Sequence, residues 1–327
     1  GCLMSVVSKA TRHTLADTTE FGCDLLSCLS ERPHIIAPKY FYDANGSRLF
    51  EEICNLPEYY PTRSELSILD HHRDHMAALI GPRSEIIEFG AGSLLKARLL
   101  LDALEAPIGF VAVDISGEHL AAACNTLRRD YPTLAVEAVI ADFSDPGQLA
   151  LQCSVQRRPI GFFPGSTIGN FSPPQACRFL CAAARLLAGG GLLIGIDLVK
   201  DPAVLHAAYN DTSGITATFN RNLLVRANRE LGCNFSTNDF QHYAFYNPQQ
   251  QRIEMHLVSA ALQEISLNDR RFRFAEGESI HTENSYKYTV DGFRTLASAC
   301  GFKPIADWCD ADDLFSVHWL ESTCSQR

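Results

Sequence analysis

The chain has 327 residues, 46% of them hydrophobic, and a formal charge of −10 at pH 7. That suits one large or two smaller folded domains and argues against a basic nucleic-acid-binding face. No apolar run reaches the roughly 18 residues of a membrane span, and Gly1-Cys2-Leu3-Met4 opens without the basic segment and apolar core of a secretory signal. Twelve cysteines are scattered without C-x-x-C spacing. This is the pattern of reduced, buried thiols in a cytoplasmic protein rather than of a metal site, and no metal is expected.

In chain order, residues 1–62 are polar but rich in aromatics, with Tyr40-Phe41-Tyr42-Asp43 and Tyr59-Tyr60-Pro61-Thr62-Arg63. Tyrosines can cage a cation and donate hydrogen bonds; singly they are more often core or hinge residues. His71 and His75 share a helical face, and with His72 they read as a solvated face because no ligand motif follows. From residue 85 to 197 short apolar runs (85–89, 110–114, 135–140, 160–163, 192–197) alternate with amphipathic ones (94–104, 117–129, 174–188). The alternation predicts an α/β, Rossmann-like doubly wound parallel sheet that binds ligands beyond its carboxyl strand ends. A helix at 289–300 and strands at 302–308 and 314–320 then predict an antiparallel C-terminal pair, a mark of class I methyltransferases. Residues 202–284 carry a long helical region, 202–231, and short β-like runs at 240–246, 252–262 and 272–274.

The segments 1–62 and 202–284 stand outside the sheet pattern. They read as one discontinuous α+β substrate domain or lid, or as decorations that only pack; 63–201 and 285–327 form the cofactor domain.

Gly90-Ala91-Gly92-Ser93 joins the first strand to a helix, where glycine permits a sharp turn and close approach to a ligand. Leu95 stands where a dinucleotide fingerprint would place its third glycine. Asp114 ends the second strand, 26 residues after Glu88, where an acid can hold a ribose diol. The site therefore reads as one for S-adenosylmethionine. Glu88, Gly90, Gly92 and Ser93 make the turn, whose helix-start N–H groups can hold an anion. Lys96 would neutralise the methionine carboxylate, or is a solvated helix residue. Asp142 would accept from the adenine amino group, with Phe143 offering its backbone N–H, or is a turn residue. Asn170, in the loop 163–171, brings a donor and an acceptor suited to an amino-acid substrate, or is an ordinary turn asparagine.

Tyr42-Asp43-Ala44-Asn45-Gly46-Ser47-Arg48-Leu49-Phe50, Leu56-Pro57-Glu58-Tyr59-Tyr60-Pro61-Thr62-Arg63, residues 163–171 and Glu278-Ser279-Ile280-His281-Thr282-Glu283-Asn284-Ser285 carry a more specific signal. Through them the chain, from about Tyr40 to Leu320, resembles the L-histidine Nα-methyltransferases of ergothioneine biosynthesis. The resemblance implies triple methylation of the histidine α-amine to hercynine, leaving S-adenosylhomocysteine. It implies Tyr42 beside the reacting amine, Tyr59, Asn170 and Tyr209 near the substrate carboxylate, Glu283 and Ser285 on the imidazole, and Met255 on the pocket wall. Family members commonly have Thr after the Lys, where this chain has Ala97. Relatives methylate tryptophan-like amines, but a carboxylate at 283 suits an imidazole N–H and would be costly against an indole. Another amine substrate, or a non-catalytic cofactor-binding protein, is the alternative. A monomer acting on a small molecule is expected, without nucleic acid or membrane.

Overall fold

The computed structural model describes residues 19–145, 147, 149 and 158–326; Cys153 and the first 18 residues of the expected substrate segment lie outside these. The described chain opens with helix α1 (Glu20–Ser30), whose N-cap Thr19 accepts the Gly22 N–H at 3.0 Å. The short strand β1 (His34–Ile35) and helix α2 (Ala44–Cys54) follow. Asp43 Oδ1 accepts the Gly46 N–H at 2.8 Å, and Gly46 is required by proximity, since a Cβ there would lie 1.6 Å from the Phe41 carbonyl oxygen. Helix α3 (Tyr60–Ile80) starts with Pro61 in its first turn and stops at Gly81, φ +84°.

The alternation expected from the sequence comes next: β2 (Glu85–Phe89), α4 (Leu95–Ala103), β3 (Gly109–Asp114), α5 (Gly117–Asp130), β4 (Ala135–Ile140), β5 (Pro159–Phe163), α6 (Pro173–Leu186) and β6 (Gly191–Asp197). These five strands pair in parallel. Every residue of β5 and β6 is buried, as befits central strands covered on both faces.

The region 202–231 is two helices rather than one, α7 (Pro202–Tyr209) and α8 (Ile215–Leu231). The break has a local cause. Asp211 accepts the N–H groups of Ile215 at 2.8 Å and Thr216 at 2.9 Å, and Gly214 sits at φ +75°. The strands β7 (Phe240–Asn247), β8 (Arg252–Ser259), β9 (Gln263–Leu267), β10 (Arg270–Phe274) and β11 (Ser279–Tyr286) follow. Two of them, β9 and β11, exceed the sequence reading; both mix polar with apolar residues and take their strand form from their partners. The chain ends in α9 (Val290–Ala299), β12 (Phe302–Cys309) and β13 (Phe315–Ser322).

Two units emerge. The larger comprises Cys54–Val204, Pro248–Arg252 and the chain from Ser285 onward. Its seven-stranded sheet has the order β12-β13-β6-β5-β2-β3-β4, with β13 antiparallel to both neighbours, as expected for a class I methyltransferase. Apolar layers fill both faces. One contains Ile68, Leu69 and Met76 of α3 with Leu100, Leu127 and Trp319; the other contains Phe179 and Leu180 of α6 with Phe293 and Phe163. The smaller unit comprises the described chain up to Ile53, with Leu205–Asn247 and Ile253–Asn284. It is built on a sheet of order β1-β11-β8-β7 and the β9–β10 hairpin. Among the described residues, no helix is long and apolar enough to cross a membrane.

Candidate active site

The glycine turn lies at the carboxyl end of β2, in the larger unit. Gly90 has φ +68° and Gly92 φ +51°, conformations that side chains other than glycine rarely adopt. A Cβ on Gly90 would also press the Phe143 ring at 3.3 Å, whereas one on Gly92 meets nothing within 4 Å among the described residues. Asp114 ties this turn to the tip of β3: its Oδ2 accepts the Gly92 N–H at 3.2 Å and its Oδ1 the Ser116 N–H at 3.1 Å. Ser93 is exposed on the turn. Asp142 Oδ1 accepts from the Ser144 N–H (2.9 Å) and hydroxyl (2.6 Å), so one of its oxygens shapes its own turn. The Phe143 ring stands edge-on to Phe163, centroids 5.6 Å apart.

Glu88 is buried, and among the described residues no donor reaches its Oε2. Burial raises its pKa well above the ordinary carboxylate value, Lys96 opposing and Asp114 and Glu65 adding to the rise. A buried carboxyl oxygen beside a glycine turn and a strand-end aspartate form a set of acceptors suited to the ammonium and ribose diol of S-adenosylmethionine.

Lys96 pairs with Glu65 of α3 at 2.6 Å. The sequence reading missed Glu65, a fully buried carboxylate on the apolar face of its helix. Its two oxygens take the Gly165 N–H at 2.8 and 3.0 Å, so one side chain fixes both the lysine and the loop after β5. Gly195 makes room for it, since a Cβ there would lie 1.8 Å from Glu65 Oε2. Ala97, the departure from the family pattern, is completely buried in the core.

The loop after β5 passes through Gly165 at φ +81° and Ser166 at φ +53° into a 3-10 turn, Thr167–Asn170, which places Asn170 at its end. Gly169 lies against the Tyr286 backbone; a Cβ would fall 2.9 Å from its carbonyl oxygen. Tyr59 precedes α3. Its loop is held by Arg63, whose guanidinium donates to the Leu56 carbonyl at 2.8 Å and the Pro57 carbonyl at 2.7 Å.

Ser285 ends in a buried network that no local motif announces. Lys287 Nζ donates to Ser285 Oγ at 2.9 Å and lies 2.7 Å from Asp197 Oδ2. Lys200 Nζ lies 2.8 Å from Asp197 Oδ1, and the Tyr60 hydroxyl donates to Oδ2 at 2.7 Å. Burial alone would raise the Asp197 pKa, but Lys287 and Lys200 outweigh it and hold the carboxyl below its ordinary value. Lys200 is brought down to about 8 by burial, with Asp197 opposing and Lys287 adding to the fall.

In the smaller unit the Tyr42 ring stands edge-on to Phe50 (5.8 Å) and Phe219 (5.7 Å). Tyr209 and Met255 are buried and joined by a relay. The Tyr209 carbonyl lies 2.8 Å from His242 Nε2, His242 Nδ1 lies 2.9 Å from Asn220 Nδ2, and the Thr282 hydroxyl reaches Asn220 Oδ1 (2.8 Å) and the Met255 carbonyl (3.1 Å). Burial lowers the His242 pKa, the Tyr209 carbonyl opposing; with a carbonyl facing Nε2 and an amide N–H facing Nδ1, Nε2–H donates and Nδ1 accepts. The Glu283 carbonyl lies 3.2 Å from His281 Nε2. His281 stacks on His256, centroids 4.3 Å apart, and His256 Nε2 lies 3.0 Å from Glu254. Of the histidines on α3, His71 bonds its own helix at Ser67, and His75 takes the Trp308 indole N–H at 3.2 Å.

The family model for histidine-specific, S-adenosylmethionine-dependent methyltransferases matches residues 21–322. The chain is 38% identical over 293 residues to histidine N-alpha-methyltransferase of Mycobacterium tuberculosis, covering 88% of this chain and 90% of that protein. The identity and coverage are the same for histidine N-alpha-methyltransferase of Mycolicibacterium smegmatis. It is 30% identical over 309 residues to ergothioneine biosynthesis protein 1 of Neurospora crassa, covering 88% of this chain and 33% of that one.

Proposed function

The chain belongs to the histidine-specific, S-adenosylmethionine-dependent methyltransferases, and from that premise we propose that it methylates the α-amine of L-histidine three times, giving the trimethyl betaine hercynine of ergothioneine biosynthesis. The observation that carries the reading is the 38% identity to a histidine N-alpha-methyltransferase along nearly the full length of both chains.

S-adenosylmethionine supplies an electrophilic methyl group on a good leaving group. The protein's own work is to hold the acceptor nitrogen neutral and in line with that group. Gly90, Gly92 and Ser93 seat the cofactor's amino-acid end with Glu88 on its ammonium; Asp114 takes the ribose hydroxyls, and Asp142 and Phe143 take the adenine. Lys96 serves the cofactor carboxylate while staying paired with Glu65. The smaller unit serves as the substrate domain. A free α-amine is largely protonated at neutral pH, so a proton leaves before each transfer from a protonated amine, and Tyr42 bonds the amine or relays that proton. Tyr59, Asn170 and Tyr209 hold the substrate carboxylate. Glu283 accepts the ring N–H, Ser285 bonds the other ring nitrogen, and Met255 walls the ring. An ammonium only donates, so the Lys287 contact makes Ser285 Oγ an acceptor there.

The test is to weigh the products formed from S-adenosylmethionine and a panel of amino acids, with Glu283→Ala beside the parent. Histidine should give the trimethylated product. The variant should raise KM for histidine roughly 10- to 150-fold, the equivalent of about 1.5–3 kcal/mol for a charge-assisted bond. No methylated histidine from the parent would overturn the function; an unchanged KM in the variant would overturn the role of Glu283 alone.

A further inference from the structure

Three cysteines far apart in sequence converge in the larger unit. Cys177 and Cys181 stand one turn apart on α6, and so on one face of it. Cys300 caps the C-terminal end of α9. Cys300 Sγ is 3.0 Å from Cys177 Sγ, and all three sulfur atoms lie within 4.8 Å of one another. Around a three-coordinate ion with metal–sulfur bonds of about 2.3 Å, the sulfurs would stand roughly 4 Å apart, within the range of these positions after small rotamer adjustments. Cys300 is buried, while Cys177 and Cys181 are half-buried and offer a way in.

We propose that Cys177, Cys181 and Cys300 form a three-sulfur binding site for one soft, thiophilic cation of the monovalent-copper class. The donor set makes the choice. Sulfur ligands disfavour hard cations, which want oxygen, and among the described residues no histidine or carboxylate joins the three to complete the four-coordinate shell that structural zinc prefers. The surroundings are apolar, with Ala176, Leu180 and Phe302 in the same core layer. Uptake is written M⁺ + 3 RSH → [M(SR)₃]²⁻ + 3 H⁺, with no electron transferred, and affinity therefore climbs with pH. The positive charge of Arg185, which lowers the Cys181 pKa, partly offsets the charge of the loaded site. An ion bound there would staple α6, which begins directly after the Asn170 loop, to α9.

The experiment uses the full chain, reduced and free of oxygen, titrated with Cu(I) against a coloured Cu(I) chelator. One equivalent should be withdrawn from the chelator, and the melting temperature should rise. Cys177→Ser, Cys181→Ser and Cys300→Ala should each weaken uptake at least about tenfold, since even supporting residues of metal sites are worth ~10–100-fold. The exposed Cys23→Ser should titrate like the parent. Cys181→Ser alters a half-buried group and remains testable if replacing the buried Cys300 prevents folding. The proposal is overturned if the parent withdraws no copper, if the three variants match the parent, or if peptide mapping finds a Cys177–Cys300 disulfide in protein that takes up no ion.

Discussion

Two places along the carboxyl ends of the large sheet's parallel strands are built by different means. At β2 and β3 the glycine turn is shaped by backbone conformation, glycines at positive φ, and pinned by one nearby side chain, Asp114, which accepts two main-chain N–H groups. At β6 the position of Ser285 is held by side chains, through Lys287 to a buried aspartate shared with Lys200 and Tyr60. A backbone-built site needs only local sequence. A side-chain network needs partners brought together from distant segments, and it fails as a unit when one charge is removed.

The sharpest break should come where the two styles meet. Gly195→Ala drives a methyl group against the Glu65 carboxylate, parting it from Lys96 and Gly165. Leaving a buried charge unpaired costs about 3–5 kcal/mol, so the midpoint of chemical denaturation should fall sharply, with cofactor affinity falling alongside it. A variant as stable as the parent would mean that Glu65 relocates without loss.

Lys287→Met tests the network alone. KM for histidine should rise about 10- to 100-fold, as for loss of a charged hydrogen bond worth roughly 1.5–3 kcal/mol. S-adenosylhomocysteine affinity by calorimetry should hold within about threefold, because the glycine turn is not involved. Equal losses on both ligands would erase the distinction.

Acid separates the sheet's stability from the network. His318 of β13 is wholly buried, and burial, reinforced by Arg294, holds its pKa down to about 4. Its folded pKa lies below the unfolded value of about 6.5, so the unfolded chain takes up the proton first and stability falls as pH drops from about 6.5 towards 4. The loss attributable to His318 is up to about 3 kcal/mol. Asp197, with its lowered pKa, stays ionised through that window. Replacing His318 by Leu should flatten the slope of stability against pH; an unchanged slope would assign it to other groups.

The mildest effect belongs to Gly92→Ala. Among the described residues nothing stands within 4 Å of the added methyl, so the expected cost is the left-handed backbone strain of about 1–2 kcal/mol. Cofactor affinity should fall about tenfold or less, against a larger loss for Gly90→Ala, which also presses the Phe143 ring.

The same distinction explains what the sequence disclosed. The strand–helix alternation, the glycine turn and Asp114 are legible because each is a local pattern with a fixed backbone consequence. Glu65 is not: it sits 100 residues from Gly165, and its only local trace is an acid on an apolar helix face. Lys96 could be read as cofactor ligand or as solvated, because its partner lies on another helix. Strand β11 hid behind its polar composition, His–Thr–Glu–Asn–Ser, although Thr282 and Ser285 are buried. The cysteines illustrate the limit most plainly. A search for C-x-x-C passes over a pair spaced for a helix, whose third member arrives 123 residues after the first.

The Glu65 contact also bears on engineering. Its carboxylate, the Gly165 amide, the Lys96 ammonium and the empty space at Gly195 lie on four separate stretches of chain, yet none can drift alone. An alanine at 195 would first demand a shorter residue at 65, which would strand the lysine, so changes at these positions are coupled. Anyone transplanting the cofactor half into another scaffold therefore has to carry the helix Tyr60–Ile80 with it, although nothing in the glycine turn says so.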